Sequence, residues 1–297
     1  MQVMRTLSIA AGLMAIAIAP IADAALIAND PFLSGTNRGA GEYSPGSDIR
    51  GQGAAAFGWQ GGPPDGFGVP HAGSTSNFQP DALGEDSPAV GYEAGGRLRW
   101  LGVGNSSFDR NITRQLNPTP SSSEWWFSIQ TNRLGWAGDQ TNATYAVGGF
   151  TDGSGNGLQV GYDNSGGAID GIPDLVLRSN GVNTVLVSDV PSSDNQLVIV
   201  KLDVNTSGDD TISVWADPST VSPLGPADVT ITDQNLTDSL TPFTQSKYES
   251  PGQSGTVFWD EIRLATDFNS VIGIPEPTTA MLCGLAVCLL GSRRRLR

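Results

Sequence analysis

Apolar and polar residues alternate with period two at several places in the middle of the chain. Nowhere there do they follow a helical period over a useful length. The clearest alternation covers residues 196–204. Val198, Val200, Leu202 and Val204 fall on one face of an extended chain, and Leu197, Ile199, Lys201 and Asp203 on the other. Asn205-Thr206-Ser207-Gly208-Asp209 has turn chemistry. Residues 210–216 then return with Ile212 and Val214 on one face, so the two segments predict a β-hairpin. Further strands are predicted at 124–130, 143–150, 157–162, 174–178, 184–188 and 255–265. Short strands separated by turns predict an all-β sandwich or barrel.

The two ends follow other patterns. Arg5 precedes an apolar stretch over residues 7–18, Pro20 breaks it, and Ala22-Asp23-Ala24 forms a small-x-small site. That is the layout of a secretory signal peptide, so residues 1–24 are expected to be removed by signal peptidase after Ala24. At the other end stand Pro275-Glu276-Pro277, an apolar run over 278–291, and Arg293, Arg294, Arg295 and Arg297. The run is shorter than the ~20 residues a spanning helix needs. The Arg cluster stays on the cytoplasmic side of a membrane. Both cysteines, Cys283 and Cys288, lie inside this run.

In its order of motif, apolar helix and basic end, the segment 275–297 resembles the PEP-CTERM sorting signal of Gram-negative bacteria. The resemblance implies a transient anchor in the inner membrane and recognition by exosortase. Release to the cell surface or extracellular matrix would follow. It makes Pro275, Glu276 and Pro277 a processing signal rather than a catalytic site.

Composition sharpens the picture of what lies between. The whole chain has 297 residues and a net charge of −14, and only 15 % of it is charged, against ~25 % in an average soluble domain. Without the two ends, residues 25–274 keep 11 basic and 28 acidic side chains, a net charge of −17, and no cysteine. Such a body is a poor partner for nucleic acid, whose phosphates reward Lys and Arg. One His and no Cys cannot form a zinc finger. Residues 118–274 hold the regular strands. The Gly-rich stretch 25–117 is expected to supply opening edge strands and long loops of the same domain; a separate small N-terminal domain is the alternative. The body resembles the concanavalin A-like (laminin G-like) jelly rolls. The residues that carry this are 197–203, 210–218 and 258–264, with Gly51-Gln52-Gly53 and Gly58-Trp59 near the start. The resemblance implies a jelly-roll sandwich; activity does not transfer with a fold.

Three sets of residues are candidates for chemistry. Trp126, Trp215 and Trp259 fall in the polar register of predicted strands, beside Ser128, Ser213 and Glu261 respectively. Together they would form a carbohydrate-stacking platform on an outer sheet face, unless loops cover them, since Trp is mostly buried. Asp163, Asp170 and Asp174 lie in Asp-rich turns that suit calcium, a cation with oxygen ligands; ordinary Asx turns are the alternative. No other cofactor is expected. Glycosidases of this jelly-roll class carry a Glu-x-Asp-x-x-Glu strand, which is absent here. Asp260 falls in register with Phe258, Ile262 and Leu264, as a buried structural carboxylate would. His71 sits in a Pro- and Gly-rich loop with no nucleophile beside it. The expectation is an exported, non-catalytic binding or structural protein associated with exopolysaccharide. A lectin-like module with a specific sugar site is the first alternative, and a polysaccharide hydrolase or lyase the second.

Overall fold

The computed structural model describes residues 26–30, 78–81, 97–101, 109–134, 145–164, 172–192, 194–221, 223–251 and 256–272. Its strands in chain order are β1 Leu26–Asp30, β2 Phe78–Asp81, β3 Arg97–Leu101, β4 Asp109–Gln115, β5 Glu124–Leu134, β6 Tyr145–Thr151 and β7 Gly157–Asp163. They continue with β8 Asp174–Ser179, β9 Val182–Val187, β10 Gln196–Asp203, β11 Asp210–Ala216, β12 Val229–Gln234, β13 Gln245–Pro251 and β14 Thr256–Ala265. A single turn of helix, α1 Phe268–Val271, follows. The strands form two sheets. The large sheet has eight strands in the order β12-β11-β10-β5-β14-β3-β2, with β1 also paired to β14. The small sheet has six, in the order β4-β13-β6-β7-β8-β9. All the pairings are antiparallel.

The predicted hairpin is β10–β11, with Val200 opposite Val214 and Leu202 opposite Ile212. These residues join Trp125, Phe127 and Ile129 of β5 on the face turned to the small sheet. The small sheet answers with Phe150, Leu158, Val160, Tyr162, Leu175, Leu177 and Tyr248. Phe127 meets Phe150 edge-on across the gap, with ring centroids 5.6 Å apart. The two sheets therefore share one apolar core, as in a sandwich. Each fully buried aromatic or aliphatic side chain contributes about 1.5–3 kcal/mol.

Three strands among residues 109–272 escape the alternation reading. β13 reads Gln-Ser-Lys-Tyr-Glu-Ser-Pro, and its core face offers Ser246, Tyr248 and Ser250, only one of them large. β4 and β12 are similarly poor in aliphatic residues. Neighbouring strands, rather than local composition, hold them extended. The β8–β9 connection is a two-residue turn, Asn180-Gly181, with φ of 45° and 82°. That is the left-handed pair a tight hairpin requires.

β14 is the strand where the sequence pattern misleads. Asp260 stands opposite Gln130 and Arg263 opposite Ser128, so Glu261 and Ile262 together face Ile129. This is a β-bulge, and Glu261 takes φ 48° to make it. The bulge reverses the faces. Val257 and Trp259 point to the core before it, and Ile262 and Leu264 after it. Asp260 therefore does not share a face with Ile262 and Leu264. It is buried, at 1 % exposure, and its Oδ1 accepts from the Glu261 backbone N–H at 2.8 Å.

The β10–β11 turn is fixed by another buried carboxylate. Asp210 Oδ1 accepts from Asn205 N at 2.8 Å, and Oδ2 from Leu236 N at 2.9 Å and Thr237 N at 3.1 Å. One side chain thus ties the hairpin to the segment after β12. Removing it strands three amide donors, each costing roughly 1–3 kcal/mol if buried. Asp210→Ala is expected to destabilise the protein by about 3–5 kcal/mol in urea unfolding. A loss below about 1 kcal/mol would contradict this role.

Candidate functional site

The three Trp do not form one platform. Trp259 is fully buried in the core, because the bulge puts its residue on the inner face. Its ring packs on Tyr248 at 5.3 Å, and its Nε1 donates to the Val160 carbonyl at 3.4 Å. Gly148 makes room for this pair: a Cβ there would lie 2.3 Å from Tyr248 Cδ1. Trp126 and Trp215 do stand on the outer face of the large sheet and stack at 5.7 Å. Yet they are only 8 % and 9 % exposed. Val221, Val271 and Ile272 cover them, with Leu197 and Ile199, as a second small core. Phe268 lies 5.1 Å from Trp126, and Ser128 Oγ donates to the Val271 carbonyl at 3.1 Å. Asp267 caps α1 through Ser270 N at 3.0 Å. The indole N–H groups are also taken up. Trp126 donates to Glu124 at 2.6 Å and Trp215 to the Gly225 carbonyl at 2.9 Å. Beside them Lys201 pairs with Asp203 at 2.9 Å and Glu124 at 3.2 Å. Burial alone would lower the Lys201 pKa, but these hydrogen bonds and charges raise it. The stack is structural, and its polar neighbours are spoken for.

The acidic candidates separate as well. Asp170 lies outside the described residues. Asp174 Oδ1 accepts from Asp189 N at 2.9 Å, across the open end of the β8–β9 hairpin. Asp163 accepts from the Asn183 amide. Among the described residues no group of three or more His, Cys, Asp or Glu side chains is placed to hold a metal ion. Ala22 and Ala24, Pro275–Pro277 and the Arg cluster also lie outside the described residues.

Asp163 belongs instead to a polar surface that the sequence reading does not assemble. On the outer face of the small sheet, register brings Lys247 of β13, Gly149 of β6, Gln159 of β7, Arg178 of β8 and Asn183 of β9 into one row. Gly149 has no side chain, so Gln159 reaches across it and donates to the Lys247 carbonyl at 3.3 Å. Arg178 donates to Asn183 Oδ1 at 2.9 Å and lies 3.7 Å from Glu249. Its guanidinium sits 4.2 Å over the Tyr145 ring. Lys247 pairs with the same Glu249. Lys247 is 20 %, Arg178 18 % and Glu249 15 % exposed, whereas Gln159, Gln245, Thr151, Val147 and Val176 of the same face are buried. A parallel row continues the surface, with Gln115 Nε2 donating to Gln245 Oε1 at 2.8 Å and Gln245 Nε2 to Thr151 Oγ1 at 3.1 Å.

Chemically this surface is a lattice of amides, hydroxyls and mutually neutralised charges beside the half-buried Tyr145 ring. Such groups donate to and accept from the hydroxyls of a polyol, and their mutual hydrogen bonds hold them in orientation. Glu249 is engaged by two cations and Asp163 by an amide. The signal available in the sequence is the polar alternation Gln245-x-Lys247-x-Glu249 and the glycines at 149, 157 and 161. Without the pairing register these do not read as one face.

No protein-family model matches the chain, and no curated protein matches it. Loose structural likenesses exist. A GH131 β-glucanase catalytic domain from Podospora anserina is 13 % identical with a TM-score of 0.41, covering 72 % of this chain and 88 % of that one. A PL-14 alginate lyase from Aplysia kurodai is 9 % identical with a TM-score of 0.40, covering 66 % and 90 %. An endo-β-1,4-glucuronan lyase from Trichoderma reesei is 12 % identical with a TM-score of 0.38, covering 69 % and 93 %. At these scores the likenesses define neither a family nor an activity for this chain.

Trp215→Ala is expected to lower stability by roughly 3–5 kcal/mol, as for other buried Trp truncations. Urea unfolding reads this. A loss under about 1 kcal/mol would mean the stack is a ligand surface instead.

Proposed function

We propose that the chain is an exported protein of the cell surface or extracellular matrix. It binds polysaccharide on the outer face of the small sheet and does no chemistry on it. The observation that carries this reading is the row Lys247, Gly149, Gln159, Arg178 and Asn183: polar groups held in register over a glycine gap. A ligand laid across it would meet the partly exposed Lys247, Arg178 and Asn183, which their neighbours hold in orientation, and this reduces the ordering cost of binding. The order of basic, apolar and small residues in 1–24, and of motif, apolar run and Arg cluster in 275–297, supports the export part. Signal peptidase would remove the first segment after Ala24. Exosortase would act at Pro275-Glu276-Pro277 while the apolar run and Arg293–Arg297 hold the chain in the inner membrane.

A glycan array probed with the full-length protein tests the binding part. Binding to one or more polysaccharides is expected. Arg178→Ala and Lys247→Ala should each reduce it about tenfold, some 1.4 kcal/mol, with thermal melting little changed. Binding that both variants retain would remove this face from the account. Intact-mass analysis of protein recovered from the cell surface tests the export part. The expected product begins at Ala25 and lacks Arg293–Arg297. A product that keeps Met1 and the Arg cluster would contradict it.

A further inference from the structure

We propose that a cleft at the end of the small sheet is a subsite for one uncharged sugar residue of the bound polymer. This rests on the polysaccharide-binding reading and specifies its ligand class. The cleft has a volume of about 290 Å³ and is lined by Gln115, Pro118, Thr119, Thr241, Phe243 and Thr244 among others. That volume is at the small end of ligand sites, which run from about 300 to 1,000 Å³.

The lining has the two components a pyranose needs. Phe243 is 1 % exposed and held edge-on against Trp125 at 5.8 Å, so it backs the floor of the cleft, and the exposed Pro118 is the apolar surface that a C–H face would meet. Around it stand three threonine hydroxyls and the Gln115 amide. Thr241 is oriented by Ser239, whose hydroxyl lies 3.0 Å away. Gln115 donates one amide N–H to Gln245, which fixes the amide's orientation and presents its Oε1 to a ligand hydroxyl. No charged side chain of the described residues lines the cleft.

Its position ties it to the proposed face. Gln115 is both a wall of the cleft and the end of the Gln115–Gln245–Thr151 row. That row lies two residues, about 6.8 Å, along the strands from the Lys247–Asn183 row. The partly exposed Lys247 and the exposed Gln115 are thus near enough for one bound chain to span. Charge selects the ligand class. Lys247 and Arg178 already share Glu249. The body between the ends carries −17, which repels a polyanion. The face and cleft together fit a neutral, hydroxyl-rich chain.

Isothermal titration of the full-length protein tests this, using neutral hexasaccharides of glucose and of mannose and a hexauronate, at low and high salt. A neutral hexasaccharide should bind best, with an affinity that salt leaves unchanged. Gln115→Ala and Thr241→Trp should each weaken it about tenfold or more. Gln115 is exposed, so its variant keeps the test valid if filling the cleft at Thr241 impairs folding. Preference for the hexauronate, with salt-sensitive affinity, would overturn the ligand class. Unchanged affinity in folded Gln115→Ala and Thr241→Trp, with loss in Arg178→Ala, would overturn the cleft and leave the face standing. If no saccharide binds, the polysaccharide reading itself fails and the cleft falls with it.

Discussion

Strand β14 is bonded to β5 along its length and to both β3 and β1 on its other side, so its register decides what the large sheet turns inward. The bulge at Glu261 and Ile262 sets that register. It holds a buried carboxylate at φ 48°, a conformation L residues seldom adopt. The cost is offset locally. Glu261 is fully buried and bonded to Arg263 at 3.1 Å, and Asp260 accepts the Glu261 amide. The result is that Trp259 faces the small sheet, where it locks onto Tyr248 over Gly148. Arg263 and Ala265 face the opposite way. The inter-sheet core and the outer covering both follow from this one irregularity.

The consequence for function is a division between the two sheets. Around Trp126, Ile199 and Trp215 the large sheet is packed on both sides: by the small sheet within, and by α1, Val221 and Ile272 without. That part of the sheet has little room to offer a ligand. The small sheet turns Phe150, Leu158, Val160, Tyr162, Leu175, Leu177 and Tyr248 inward, and carries Val147 and Val176 among amides and paired charges on its outer face. Lys247, Arg178 and Glu249 keep partial exposure there, and the proposed binding rests on them.

Much of the fold is legible in the sequence where alternation is strong. The β10–β11 hairpin and the outward position of Trp126 and Trp215 follow directly from period-two counting. The count fails at β14 because a bulge shifts it by one, and nothing in Phe-Trp-Asp-Glu-Ile-Arg marks a left-handed Glu. It fails at β13 because Ser246 and Ser250 give no apolar signal, although Tyr248 between them is fully buried. The candidate site suffers from the second failure. Once β13 is missed, Lys247 and Glu249 cannot be set beside Gln159 and Arg178. Asp163 draws notice as an Asp-rich turn residue, whereas its partner is Asn183, brought round by the Asn180-Gly181 turn. Site chemistry here depends on cross-strand neighbours, which sequence spacing does not encode.

The account turns on which sheet face meets the ligand. Hydrogen–deuterium exchange of the full-length protein, with and without a saturating neutral hexasaccharide, measures this most directly. Slowed exchange confined to β6, β7, β8 and β13 is the expected result, since a ligand across that face protects its amides. Protection centred instead on β11 and α1, around Trp215, would contradict the account.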